Sequence, residues 1–166
     1  MVRITLARTA RTLAQRTAYS TMNISASLRQ KIIAAANYRC EYCRTSSQLT
    51  GIPLVMDHIL PKSLGGSDKP ENLAASCYRC NEFKGAKTHA KDPATSQFIT
   101  LFNPRYQTWH SEFVWGNGGT HIIGKTAIGR TTVIALRLNN DQIVEARALW
   151  ISARWHPPSD HIARNS

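Results

Sequence analysis

Cys40-Glu41-Tyr42-Cys43, Val55-Met56-Asp57-His58-Ile59, Glu71-Asn72-Leu73 and Cys77-Tyr78-Arg79-Cys80-Asn81 fall within one stretch, Cys40 to Gly85, around which the chain is organised. Two Cys-x-x-Cys pairs bracket an Asp-His pair, and an Asn follows the last Cys directly. A Cys-x-x-Cys turn sets two thiolates about one tetrahedral edge apart. Two such turns make a closed four-sulfur site that suits zinc and leaves no position open for chemistry. The second signal is harder. Asp57 brings a carboxylate oxygen and Asn81 an amide oxygen, the donors that Mg²⁺ or Mn²⁺ prefers. His58 adds an imidazole, a group that can change its charge near neutral pH.

This arrangement resembles the HNH endonucleases, also called ββα-metal or His-Me finger nucleases. The matching residues are Asp57, His58, Ile59 and Pro61, then Gly65-Gly66, Asn72-Leu73, and Cys77, Cys80, Asn81, Lys84 and Gly85. The family's final His is Asn81 here, a variant common in the family. The likeness covers roughly residues 24 to 85. It implies an α+β fold: a small ββα-metal finger stapled by a four-cysteine zinc site, with an N-terminal helix and a C-terminal accessory α/β segment. It also implies a catalytic set of His58, Asp57, Asn72 and Asn81. His58 is the general base, since a neutral imidazole can take a proton near pH 7. One Mg²⁺ or Mn²⁺ ion on Asp57 and Asn81 polarises the scissile phosphate and steadies the leaving oxygen. Asn72 ties down the intervening loop and helps to aim His58, and the product carries a 5′ phosphate. Cys40, Cys43, Cys77 and Cys80 hold structural Zn²⁺. Lys62, Arg79 and Lys84 are expected at the nucleic-acid backbone.

The rest of the chain is read around that stretch. A net charge of +11 over 166 residues points to a polyanionic partner, with double-stranded DNA the first candidate. No apolar run approaches the ~20 residues of a membrane span. Paired cysteines without a recognisable secretory signal favour metal over disulfides and a cytoplasmic, bacterial-type location. Residues 1–21 carry Arg3, Arg8, Arg11 and Arg16 and no acid, the composition of an organelle transit peptide. The plainer reading, a disordered start or a start codon called too early with Met22 as the true first residue, is preferred because the apolar spacing is weak. The expected layout is an N-terminal extension over 1–22, the nuclease core over 23–90, an accessory segment over 91–155 and a frayed tail over 156–166.

Within that layout Asn23 or Ser25 caps a helix running to about Asn37. Leu54-Val55-Met56 and Asn72-Leu73-Ala74-Ala75 read as strands, and a helix opens from about Asn81 through Lys87. Gly116-Asn117-Gly118-Gly119 is a turn between two short strands, and Thr131–Leu138 and Asp141–Ile151 read as helices. His89, His110, His121, His156 and His161 show no ligand spacing. The aromatic residues Trp109, Phe113 and Trp115 read as packing rather than as a base-stacking platform.

Two other classes compete. One is an inactive zinc-dependent nucleic-acid-binding module, which would have no use for Asp57, His58 and Asn81 together. The other is a zinc nucleobase deaminase. That chemistry needs a His-x-Glu element, a Pro before the Cys pair and a zinc open to water; Ser76 precedes Cys77, and two further cysteines close the zinc. One catalytic centre cuts one strand per event, so double-strand cleavage would need a homodimer or two encounters.

Overall fold

The protein is described by a computed structural model over residues 24–158. The elements in chain order are α1 (Ala26–Ala35), α2 (Ser47–Thr50), β1 (Val55–His58), β2 (Leu73–Ser76), α3 (Tyr78–Lys84), β3 (His89–Lys91), β4 (Phe98–Thr100), α4 (Trp109–Glu112), β5 (Phe113–Gly116), β6 (His121–Gly124), α5 (Ala127–Ala135) and α6 (Asp141–Ser152). The strands pair as three separate antiparallel hairpins, β1–β2, β3–β4 and β5–β6. This is an α+β chain of helices and small sheets. The N-terminal extension, Met22, the Asn23 cap, His161 and the end of the tail lie outside the described residues.

Local chemistry sets the boundaries. Ser25 caps α1, its hydroxyl accepting from the Leu28 N–H at 3.2 Å. The first cysteine pair sits in a tight turn closed by Cys40 N–H to Thr45 O and Arg44 N–H to Cys40 O, with Arg44 at φ +62°. The second pair sits on a helix start. Cys77 is the N-cap of α3, and its sulfur accepts from the Cys80 N–H at 3.5 Å. That cap moves the helix start to Tyr78, three residues before the Asn81 expected from sequence, and Gly85 ends it at Lys84. Thr126 likewise caps α5 at Ala127, four residues before the expected Thr131. The Gly129-Arg130 pair lies before the helix start expected from sequence. It is helical here, and Gly129 packs so closely that a Cβ would lie 2.1 Å from Glu112 O.

The β1–β2 register pairs Val55 with Ser76, Met56 with Ala75, Asp57 with Ala74 and His58 with Leu73. Leu73, Ala74, Ala75 and Ser76 are all buried, and α1 covers one side of β2. The segment beyond residue 90 shares this core. Phe102 meets the Tyr42 ring edge-on at 6.4 Å, and Trp109 Nε1 donates to Tyr42 O at 2.8 Å. Arg105 donates from Nε to Leu73 O at 2.9 Å and from Nη2 to the Glu41 carboxylate. Trp109 and Phe113 are buried, as their packing role requires. The sequence places the frayed tail from residue 156. His156 is instead buried, its Nε2 donating to Gly119 O at 3.0 Å and its ring edge-on to Trp115. A buried ring with a hydrogen-bond partner behaves as core whatever the prolines beside it suggest.

Candidate active site and zinc centre

The four cysteines converge. Their sulfurs all lie within 4.8 Å of one another, and the Cys43 and Cys77 sulfurs are 3.7 Å apart. A zinc ion with Zn–S bonds near 2.3 Å has tetrahedral edges of about 3.8 Å, so the donor set fits zinc in identity, number and spacing. Among the described residues no other group of three or more His, Cys, Asp or Glu side chains can hold a metal. The thiols already interact with one another. Hydrogen bonds from Cys40, Cys77 and Cys80 hold the Cys43 thiol well below its ordinary value. Burial pushes Cys40 up, and hydrogen bonds with the other three push Cys80 up. One thiolate thus settles first among donors that a cation would deprotonate together.

The β-hairpin standing on this base carries Asp57 and His58. Successive residues of a strand face opposite sides, so the two leave β1 in opposite directions. Asp57 turns inward. Its Oδ2 accepts from the Tyr42 hydroxyl at 2.6 Å and its Oδ1 from Lys84 Nζ at 3.0 Å. Burial raises the Asp57 pKa, while the Lys84 charge and the Tyr42 hydroxyl oppose that rise. Lys84 also donates to His58 O at 2.8 Å. Its side chain is 2% exposed, so the expectation that Lys84 touches a nucleic-acid phosphate is corrected. A buried ammonium is held by a buried carboxylate, and its long stem is spent reaching across from α3 to β1. Asn81 stands on α3 three residues before Lys84 and is half-buried.

His58 turns the other way. Its side chain is 21% exposed and its Nε2 is 2.7 Å from Asp68 Oδ1. The second Asp68 oxygen accepts from Lys62 Nζ at 2.7 Å. Lys62 is thereby tied to an acid, although more than half of its side chain stays exposed. Asn72 links the loop to the strand with three hydrogen bonds. It accepts from Leu60 N–H at 2.8 Å and donates to Leu60 O at 3.0 Å and Ser67 O at 2.9 Å. Gly66 is required there, because a Cβ would sit 1.7 Å from Leu60 O. Arg79 lies on α3 with its guanidinium 5.9 Å from the Phe83 ring centre; Arg137 approaches the same ring at 5.1 Å.

A family model described as HNH endonuclease matches residues 40–98. The chain carries an HNH endonuclease domain. A 58-residue stretch is also 40% identical to a CRISPR-associated endonuclease Cas9 of Corynebacterium diphtheriae, covering 34% of this chain and 5% of that protein. The chain thus shares one small part of that relative's length. No solved structure matches. Both likenesses are to endonucleases, and both are confined to a part of this chain. Among the described residues no helix is long and apolar enough to cross a membrane.

Sequence reasoning passed over two side chains of this HNH domain. Tyr42 reads in sequence, with Arg39 and Arg44, as a residue around the first knuckle within reach of phosphate, yet it is buried and its hydroxyl binds Asp57 across 15 residues. Asp68 reads as one more polar loop residue. The glycine pair before it and Asn72 after it fix that loop. An acid inside a pinned loop next to a strand-end His is the signal that could have found it.

Proposed function

We propose that this chain is a metal-dependent DNA endonuclease that hydrolyses phosphodiester bonds at the HNH domain. The observation that carries the reading is His58. It stands at the end of β1, partly buried, with one ring nitrogen bonded to a carboxylate and its backbone held by Lys84. A neutral imidazole so held can take the proton of an attacking water. Its orientation is prepared by Asn72, which closes the loop, and by Asp68, which accepts from the ring.

For Asp57 and Asn81 to hold the divalent ion, Mg²⁺ or Mn²⁺, the ion would have to displace Lys84 Nζ from Asp57 Oδ1 and replace the charge that pairs with the carboxylate there. Such an ion supplies charge stabilisation at the phosphate and the leaving oxygen. Zn²⁺ on Cys40, Cys43, Cys77 and Cys80 serves the fold. The net charge of +11, with Arg79 and the exposed part of Lys62 on the same domain, favours DNA and makes binding salt-sensitive.

The test is incubation of supercoiled and linear DNA with zinc-loaded protein, after removal of weakly held ions, with and without added Mg²⁺ or Mn²⁺. Nicked product that depends on the added ion supports the reading. Retarded DNA without cleavage under every ion would replace it with a zinc-dependent binding module.

A further inference from the structure

Within the nuclease reading, and resting on it, we propose that Asp68 is a positioning residue that fixes the His58 imidazole in its Nε2–H form, leaving Nδ1 as the nitrogen that accepts the proton of water. A neutral imidazole has one N–H donor and one acceptor nitrogen, and the partner of one nitrogen decides the state of the other. Asp68 Oδ1 is 2.7 Å from His58 Nε2. An ionised carboxylate only accepts, so Nε2 carries the hydrogen and the Nδ1 lone pair is free to act. Asp68 stays ionised there: hydrogen bonds from Lys62 and His58 lower its pKa.

The carboxylate is itself held from two sides. Lys62 Nζ takes the second oxygen at 2.7 Å. The backbone next to it is pinned where Asn72 donates to Ser67 O at 2.9 Å, and Gly66 lets the chain pass against Leu60. The same Asn72 side chain accepts from Leu60 N–H and donates to Leu60 O, two residues beyond His58. The strand end that bears the base and the loop that bears its orienter are therefore fixed to one another by one amide. When His58 takes a proton the resulting imidazolium lies against a carboxylate, and no proton needs to pass to Asp68. In that step the water O–H bond breaks and the Nδ1–H bond forms; the hydroxide oxygen bonds to phosphorus as the bond from phosphorus to the 3′ oxygen breaks, and the leaving 3′ oxygen takes a proton from solvent.

Long-range ¹⁵N–¹H spectra at about pH 8, with His58 assigned by its loss in His58→Ala, report which ring nitrogen bears hydrogen. The zinc-loaded full chain is compared with Asp68→Ala and Asp68→Asn, and cleavage at saturating DNA is read alongside. The wild type is expected as a single Nε2–H form. Asp68→Ala should show both forms and cleave about 10- to 100-fold more slowly at saturating DNA, with little change in KM. Asp68→Asn keeps an acceptor oxygen, so it should retain the Nε2–H form and fall between the two in rate. A wild-type ring in the Nδ1–H form, or an Asp68→Ala protein with unchanged spectrum and rate, would overturn the assignment. A wild type that cuts nothing yet shows the Nε2–H form lost in Asp68→Ala would sink the nuclease reading alone and leave the orienting role of Asp68 standing.

Discussion

Lys84→Met is the substitution whose cost the structure lets us work out most fully. Lys84 is 2% exposed and Asp57 3%, with Nζ 3.0 Å from Oδ1 and 2.8 Å from His58 O. Met fills much the same volume, so the cavity contribution is small and the loss is electrostatic. Removing one partner of a buried pair leaves the other charge uncompensated, which costs about 3–5 kcal/mol. That is a large part of the roughly 5–15 kcal/mol that holds a domain together. Asp57 can relieve part of the cost by taking a proton, since burial already raises its pKa and Lys84 is the main group opposing that rise. With its folded-state pKa raised, Asp57 favours the folded state while it is protonated, and that contribution is lost as pH rises through the folded pKa. The destabilisation of Lys84→Met should therefore be larger at pH 8 than at pH 5. Urea unfolding at both values, with zinc held constant, measures it. The double variant Asp57→Asn with Lys84→Met carries no orphan charge and should recover more than half of the loss. A loss below about 1 kcal/mol at pH 8, or a double variant no better than the single, would show that the buried charges are not coupled in this way.

Three further outcomes can be checked. Cys77→Ser should abolish zinc retention and unfold the hairpin, because metal binding supplies on the order of 10 kcal/mol in small zinc modules; metal analysis with far-ultraviolet circular dichroism tests it, and a folded, zinc-free protein of unchanged melting point would count against a structural metal. His156 titrates at about 4 because burial disfavours its charged form, so its contribution is complete above the ordinary histidine value of 6.5 and falls away as pH drops from there through about 4. Replacing it by Gln, which keeps a donor for Gly119 O, should flatten the stability–pH curve across that window by up to about 3 kcal/mol, and a curve parallel to wild type would show that burial does not lower the pKa of the ring. Gly66→Ala pushes a methyl to 1.7 Å from Leu60 O, so the loop must move; we expect about 1–3 kcal/mol of destabilisation and a proportionally larger loss of cleavage rate, whereas unchanged rate would mean that loop closure does not aim His58.

The four-sulfur base was legible because its information is local. Cys-x-x-Cys fixes two sulfurs by chain geometry alone, and two such turns have few ways to coexist except around one ion. Asp57 and His58 were legible through their place at a strand end between those turns. Asn72 was legible only through its family likeness, since by pattern alone it reads as the first residue of the returning strand. What sequence could not give are the long reaches: Tyr42 to Asp57, Arg105 to Glu41 across 64 residues, and Lys84 to Asp57 across 27. Lysine is usually exposed, so the expectation for Lys84 followed the average and the fold followed the buried carboxylate. The start of α3 was misplaced for a related reason. Cysteine is not among the residues that usually cap helices, and Cys77 takes that role while its sulfur faces the other three.

A sulfur-clamped finger that presents His58 as the base for phosphodiester hydrolysis can be tested in one comparison. It is the cleavage rate of supercoiled DNA by His58→Ala beside wild type, both at full zinc content, equal melting temperature and the same Mg²⁺ or Mn²⁺ concentration. The expected loss is about 10²–10⁴-fold in the variant, with DNA affinity little changed. Equal rates from the two proteins would contradict the role given to His58.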